Sequence, residues 1–298
     1  MKKRTFLIAV ALLGCVFVPT ATHAQTTDAA YRALLLQLIE QLQQQIAVLQ
    51  AELASRQQVE VEAPQQLSGL SATVDVVAAY ELPDQSVVTS IPNAAHRAYF
   101  TQMFALFPSA YDSFIKRAIV FGGDEATFDA FVETIPPRHE YWSYAVHEDM
   151  LDDPTSEANA ELIIHELAHL VAYEEIPGVA KPASAHCVDY FEIHGCPKAN
   201  AYLAVFAKTF WSSADLDRAE RYAHSDDPFG SGYDYYQIHK STFVSDYAAQ
   251  NPEEDFAESF LFYILNKPVS GAIASKKVDF FDQYAYLRSI KNEIEVSL

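Results

Sequence analysis

Positive charge is what this 298-residue chain has least of: 20 Lys and Arg stand against 40 Asp and Glu. Three of those cations, Lys2, Lys3 and Arg4, open the chain, so a form without its leader carries 17 basic against 40 acidic residues, a net charge near −23. A surface of that sign repels a phosphate backbone, which excludes nucleic acid as a partner. The acids are scattered rather than blocked and read as a soluble, self-repelling surface more than as a recognition patch. Cysteine is scarce as well. Cys15, Cys187 and Cys196 are the full set, and none stands in a CxxC pair. That argues against a cysteine-built structural zinc site and leaves Cys187 and Cys196, nine apart beside Gly195 and Pro197, as the disulfide of an exported chain. A second metal site with His186 and His194 is the rival reading of that stretch. Long apolar runs are missing too: the run from Phe6 to Val18 is too short to span a bilayer comfortably, so no transmembrane span is expected in the mature chain.

What is present begins with an address. Residues 1 to 24 read as a signal peptide, with Lys2, Lys3 and Arg4, the apolar run, and Thr22-His23-Ala24 as a small-residue cleavage site. The protein is therefore expected to be secreted or extracytoplasmic. Reading Leu12-Leu13-Gly14-Cys15 as a lipoprotein box would instead lipidate Cys15 and hold the protein at the cell surface. Residues 25 to 57 read as a short coiled-coil helix, with Leu35, Ile39, Leu42, Ile46, Leu49 and Leu53 alternating four and three apart. Residues 28 to 57 can thus join copies into a homo-oligomer, act as a stalk, or pack on the following domain. Residues 58 to 72, with Pro64 and Gly69, form the linker. Residues 73 to 298 are long enough for one domain with a sizeable core.

Within that domain, His165-Glu166-Leu167-Ala168-His169 fits HExxH. Residues four apart share a helical face, so His165 and His169 can reach one zinc ion while Glu166 touches a water on it. Helix signals surround the motif: Asp153 and Pro154 as N-cap and first-turn pair, acids at Glu157 and Glu161, and an apolar body at Leu162, Ile163, Leu167, Leu170 and Val171. The metzincin continuation is excluded, because Ala172 and Glu175 occupy the positions where Gly and a third His belong. A third ligand must come from farther along. The best source is the helix beginning at Pro252, where Glu254 and Glu258 stand four apart, so that one can bind metal while the other accepts the free N–H of a ligand His. Glu253, Asp255 and Asp246 are rival ligands, although Glu253 and Asp255 sit about 100° to either side of Glu254 on a helix. The phenol of Tyr247, just upstream, can donate to the oxyanion formed when water attacks a carbonyl.

The pair HELAH and Tyr247-x6-Glu254-Asp255-Phe256-Ala257-Glu258 resembles the gluzincin peptidases related to the catalytic domain of anthrax lethal factor and the Pro-Pro endopeptidases. The resemblance implies that His165, His169 and Glu254 bind Zn2+, that Glu166 is the general base, that Tyr247 donates to the oxyanion, and that Glu258 supports a ligand His. It covers residues 95 to 298 in general layout. Asp255 departs from it by standing where an aromatic is usual, as does the 85-residue distance from His169 to Glu254.

Helical signals run from His96 to Lys116 with a break at Pro108, across HELAH, from Ala199 to Trp211, from Pro252 to Leu265 and from Phe280 to Glu293. Strand signals lie at Arg117 to Phe121 and Tyr141 to His147. The order predicts an α+β, zincin-like metallopeptidase domain. The strand Tyr141 to His147 is expected at the sheet edge as a ledge for peptide, with His147 near the cleft. Tyr222, Tyr233, Tyr235 and Tyr236 are candidates for an aromatic lid or pocket wall in the long insertion. The function expected is zinc-dependent hydrolysis of a peptide or protein substrate. The contrasting expectation is a non-catalytic surface or assembly protein whose coiled coil does the work around a structural or vestigial zinc site.

Overall fold

The computed structural model describes residues 36, 39, 42–43, 69–123, 128–136, 140–178, 197–223 and 230–298. The signal peptide with Cys15, the linker up to residue 68, and Cys187 with Cys196 lie outside the described residues. The chain divides into two units, Met1–Arg56 and Gln57–Leu298. In the first, Leu36, Ile39, Leu42 and Gln43 are helical and exposed.

The second unit is mixed α and β. Among the described residues, four strands, β1 (Asp75–Glu81), β2 (Ile115–Gly122), β3 (Ala130–Thr134) and β4 (Trp142–His147), form one sheet in the order β1-β2-β4-β3. β2 and β4 run parallel, while the outer strands β1 and β3 run antiparallel to their neighbours. Alternation along each strand divides the side chains between two faces. Ala118, Val120, Val132, Tyr144 and Val146 enter the main core with the helices, whereas Ile119, Phe121, Phe131 and Ala145 form a second apolar cluster under Leu70 and Phe128.

The helices are α1 (Ala94–Leu106), α2 (Glu157–Ala172), α3 (Tyr202–Phe210), α4 (Ser213–Ala223), α5 (Gly230–His239), α6 (Pro252–Ile264), α7 (Ala272–Asp282) and α8 (Ala285–Ser297). α2, the HELAH helix, packs against α6, which carries Glu254 and Glu258. α6 is seated from behind by aromatic contacts, Phe256 meeting Phe206 of α3 at 5.4 Å and Phe281 of α7 at 5.0 Å between ring centroids. Edge-to-face pairs of this kind add about 0.5–1.5 kcal/mol beyond their area burial.

Four local expectations are corrected. The cap of α2 is Ser156, whose Oγ accepts the Asn159 N–H at 3.3 Å, while Asp153 closes the preceding turn onto Thr155. The signal over Phe280 to Glu293 is two helices, because Tyr284 is extended (φ −106°, ψ 120°) and packs its ring on Tyr202. Strand Tyr141 to His147 is not an edge. β4 lies between β2 and β3, and the edge beside the HELAH helix is β3. His147 likewise caps the turn after β4, its Nδ1 accepting the Asp149 N–H at 3.3 Å, and does not line the cleft described below.

Candidate metal centre and cleft

His165 and His169 come together for the reason their spacing implies: one helical turn separates them on the buried face of α2, with Nε2 atoms 3.3 Å apart. α6 delivers the third group. Asn251 caps it by accepting the Glu253 and Glu254 N–H groups, both at 2.9 Å, and Pro252 supplies the preset first position. The cap places Glu254 in the first turn, where the helix dipole favours a carboxylate. Its Oε2 lies 3.1 Å from Nε2 of His165 and 3.7 Å from Nε2 of His169. Glu166, next to His165 and 4 % exposed, completes a buried His165–Glu166–His169 group that could hold a metal ion.

The surrounding groups fix the two imidazoles. Nδ1 of His165 donates to Glu258 at 2.9 Å, and Glu258 also accepts from Ser245. With Nδ1 as the donor, Nε2 keeps its lone pair for a metal, which is how an outer carboxylate sets tautomer and ring orientation. Glu253 lies on the other side, Oε1 being 3.9 Å from Nδ1 of His169 and accepting from Tyr173 at 3.2 Å. It therefore faces the back of the ring rather than the Nε2 side. Asp255 is turned away altogether. It is fully buried, 2.6 Å from Nζ of Lys277, and accepts Nε1–H of Trp211 at 2.8 Å. Asp246 caps the turn that begins at Tyr247. Glu175 leaves with the end of α2 and pairs with Lys198 at 2.6 Å. Of the rival carboxylates, only Glu254 stands beside both Nε2 atoms.

Electrostatics follow from the burial of several carboxylates around two imidazoles. Burial pushes the Glu166 carboxyl up, Glu254 adds to this, and His165 together with the Val132 N–H opposes it, leaving a value of about 7. Burial also pushes Glu254 up, but the two imidazoles outweigh it and hold the carboxyl below its ordinary value. Burial pushes the His165 imidazole down, while its bonds to Glu254 and Glu258 together hold it well above the usual range. The pocket thus gathers positive charge, from protons in the metal-free chain or from a bound cation. The Tyr247 phenol is held far above its ordinary value by burial and by Glu254, Glu166 and Glu258, so it stays protonated and able to donate. Its ring centroid lies 5.6 Å from that of His165.

A two-lobed cleft opens at this group. Phe128, Ala130, His165, Glu166 and Tyr247 border both lobes, which measure about 280 and 310 Å³. The sequence did not mark its other wall. The His147 N–H donates to Asp129 and the Ile135 N–H to Tyr141, so in an antiparallel ladder the odd-numbered β3 residues bond to β4 and Val132 turns its N–H outward. That N–H donates to the Glu166 carboxylate. The Phe131-Val132 pair inside Ala130–Thr134 was the available strand signal, though too short to show that its outer edge faces a site. Among the insertion tyrosines, Tyr222 lines the first lobe, Tyr235 packs on Arg218, and Tyr233 is exposed. Compared with protein-family models, curated proteins and solved structures, the chain matches none.

Proposed function

We propose that this protein is a zinc-dependent endopeptidase. The observation that carries the reading is the triangle of His165 Nε2, His169 Nε2 and Glu254 Oε2, with edges of 3.1, 3.3 and 3.7 Å, set between Glu166 and Tyr247 at the waist of a cleft. Zinc bound to nitrogen and oxygen at about 2.0–2.1 Å with tetrahedral angles spaces its ligands by about 3.3 Å. A structural zinc site fills its fourth position with Cys or His, whereas here that side faces a carboxylate and a phenol. The lobes on either side of the group give a chain room to pass through, which suits internal cleavage.

His165, His169 and Glu254 would hold the zinc ion, which when bound would supply Lewis acidity toward a peptide carbonyl and a lowered pKa for a water. Glu166 takes the proton of the attacking water on its carboxylate and passes it to the leaving amine. The Val132 N–H keeps that carboxylate at the cleft wall. The Tyr247 hydroxyl donates to the carbonyl oxygen as negative charge gathers there, and Glu258 holds the His165 ring in place.

The test is zinc content together with cleavage of a mixed peptide library. The wild type is expected to hold one zinc per chain and to cut peptides internally, and Glu254→Ala to lose both the metal on dialysis and the activity. Full zinc occupancy in Glu254→Ala would remove Glu254 from the ligand set, and a zinc-loaded wild type that cuts nothing would sink the peptidase reading. Tyr247→Phe is expected to lower kcat by about 10²–10³-fold, as loss of one oxyanion donor does, with little change in KM. A change confined to KM, seen in steady-state kinetics, would place the phenol in substrate binding instead.

A further inference from the structure

We infer that the lobe between β3 and α4 selects a large apolar side chain on the amino-terminal side of the scissile bond, with Ala219 and Ala223 determining that specificity. The inference rests on the peptidase reading. Its polarity comes from the sheet. Phe131 and Val132 border only the first lobe and Asp129 only the second, so β3 runs from the second lobe toward the first. An extended peptide that adds antiparallel to this edge runs the other way. Its residues ahead of the scissile bond then lie beside Val132, in the lobe that α4 walls.

Away from the metal group and apart from the amides of Gln250 and Asn251, that lobe is lined mainly by apolar and aromatic side chains. Ala219 and Ala223 are four apart and share a face of α4, with Tyr222 beside them, opposite Leu70 and Phe131. No Lys or Arg lines either lobe among the described residues. The Asn251 amide oxygen is already taken by two backbone N–H groups. An acidic side chain would therefore be buried there with no cation to pair it, whereas an aliphatic or aromatic one carries no charge to strand.

The wall is rigid for a reason visible one residue away. Arg218 is buried, its Nη2 donates to the Ala249 carbonyl at 2.8 Å, and its guanidinium stacks 3.7 Å from the Tyr235 ring centroid. It ties α4 to the 247–249 turn that carries Tyr247, so the lobe and the oxyanion donor keep one geometry. Alanine at 219 and 223 leaves the volume; a larger side chain at either position would occupy it.

The experiment is a profile of cleavage sites in a mixed peptide library, followed by kcat/KM for a matched pair of peptides with Phe or Ala at the selected position. Wild type is expected to favour Phe, Tyr, Leu or Met on the amino-terminal side, with a Phe-over-Ala ratio of about 10 or more. Ala219→Leu should collapse that ratio toward unity. Because Ala219 is buried and a larger side chain there can disturb folding, the exposed Ala223→Phe is made in parallel, with circular dichroism on both, and should lower the ratio in the same direction. Cleavage that is indifferent on the amino-terminal side, or a ratio that neither variant moves, overturns the inference and leaves the peptidase reading standing. A wild type that holds zinc and cuts no peptide overturns both.

Discussion

Glu166→Gln is expected to retain zinc and the fold while slowing peptide hydrolysis by about 10³-fold or more, toward the upper end of what a positioned general base contributes. The substitution is nearly isosteric. It keeps an oxygen to accept the Val132 N–H and takes nothing from the His165, His169 and Glu254 triangle. What it removes is the proton acceptor. Gln cannot take a proton from water at neutral pH, nor hand one to an amine. Both kcat and kcat/KM should fall together, the signature of an interaction made in the transition state. The measurement pairs metal analysis with single-turnover cleavage of a peptide that the wild type cuts. Turnover within tenfold of wild type would show that another group carries the proton.

Lys277→Met carries the largest expected cost in stability, about 3–5 kcal/mol, because it strands a charge rather than removing a contact. Lys277 and Asp255 are both fully buried and 2.6 Å apart, with Nζ also 3.9 Å from the Phe243 ring centroid. Burial pushes the Asp255 carboxyl up to about 6 even with Lys277 opposing it. Without the ammonium, the carboxylate would have to ionise unpaired or stay protonated in the core. Adding Asp255→Asn should recover most of the loss, since Asn removes the stranded charge and still offers an oxygen to Trp211 Nε1–H, at 2.8 Å from Asp255 in the wild type. Chemical denaturation of the wild type, both single variants and the double variant reads the coupling directly. A Lys277→Met cost below about 1 kcal/mol would mean that the pair is not an ion pair in solution. Asp255 adjoins Glu254, so the same series followed by zinc affinity reports whether seating α6 also seats Glu254.

Several parts of the site are legible in the chain because they are local. Helical periodicity by itself puts His165 and His169 on one face, and Asn251-Pro252 by itself starts a helix whose first turns hold Glu254 and Glu258. The reason is that a cap and a four-residue spacing are satisfied within one turn of backbone, whatever surrounds them. The α+β composition and the strands at Arg117 to Phe121 and Tyr141 to His147 follow from the same short-range patterns. Only the tertiary structure decides what depends on partners distant in sequence. Asp255 stays a rival of Glu254 in the sequence until Lys277 and Trp211 claim it from the other side of α6. Trp142, Tyr144 and Val146 alternate alike in an edge or an interior strand, and pairing with both β2 and β3 places β4 inside. That pairing leaves β3 as the edge and turns the Val132 N–H toward Glu166, a contact no local pattern can encode, because strand order is set by which apolar faces the whole chain must bury together.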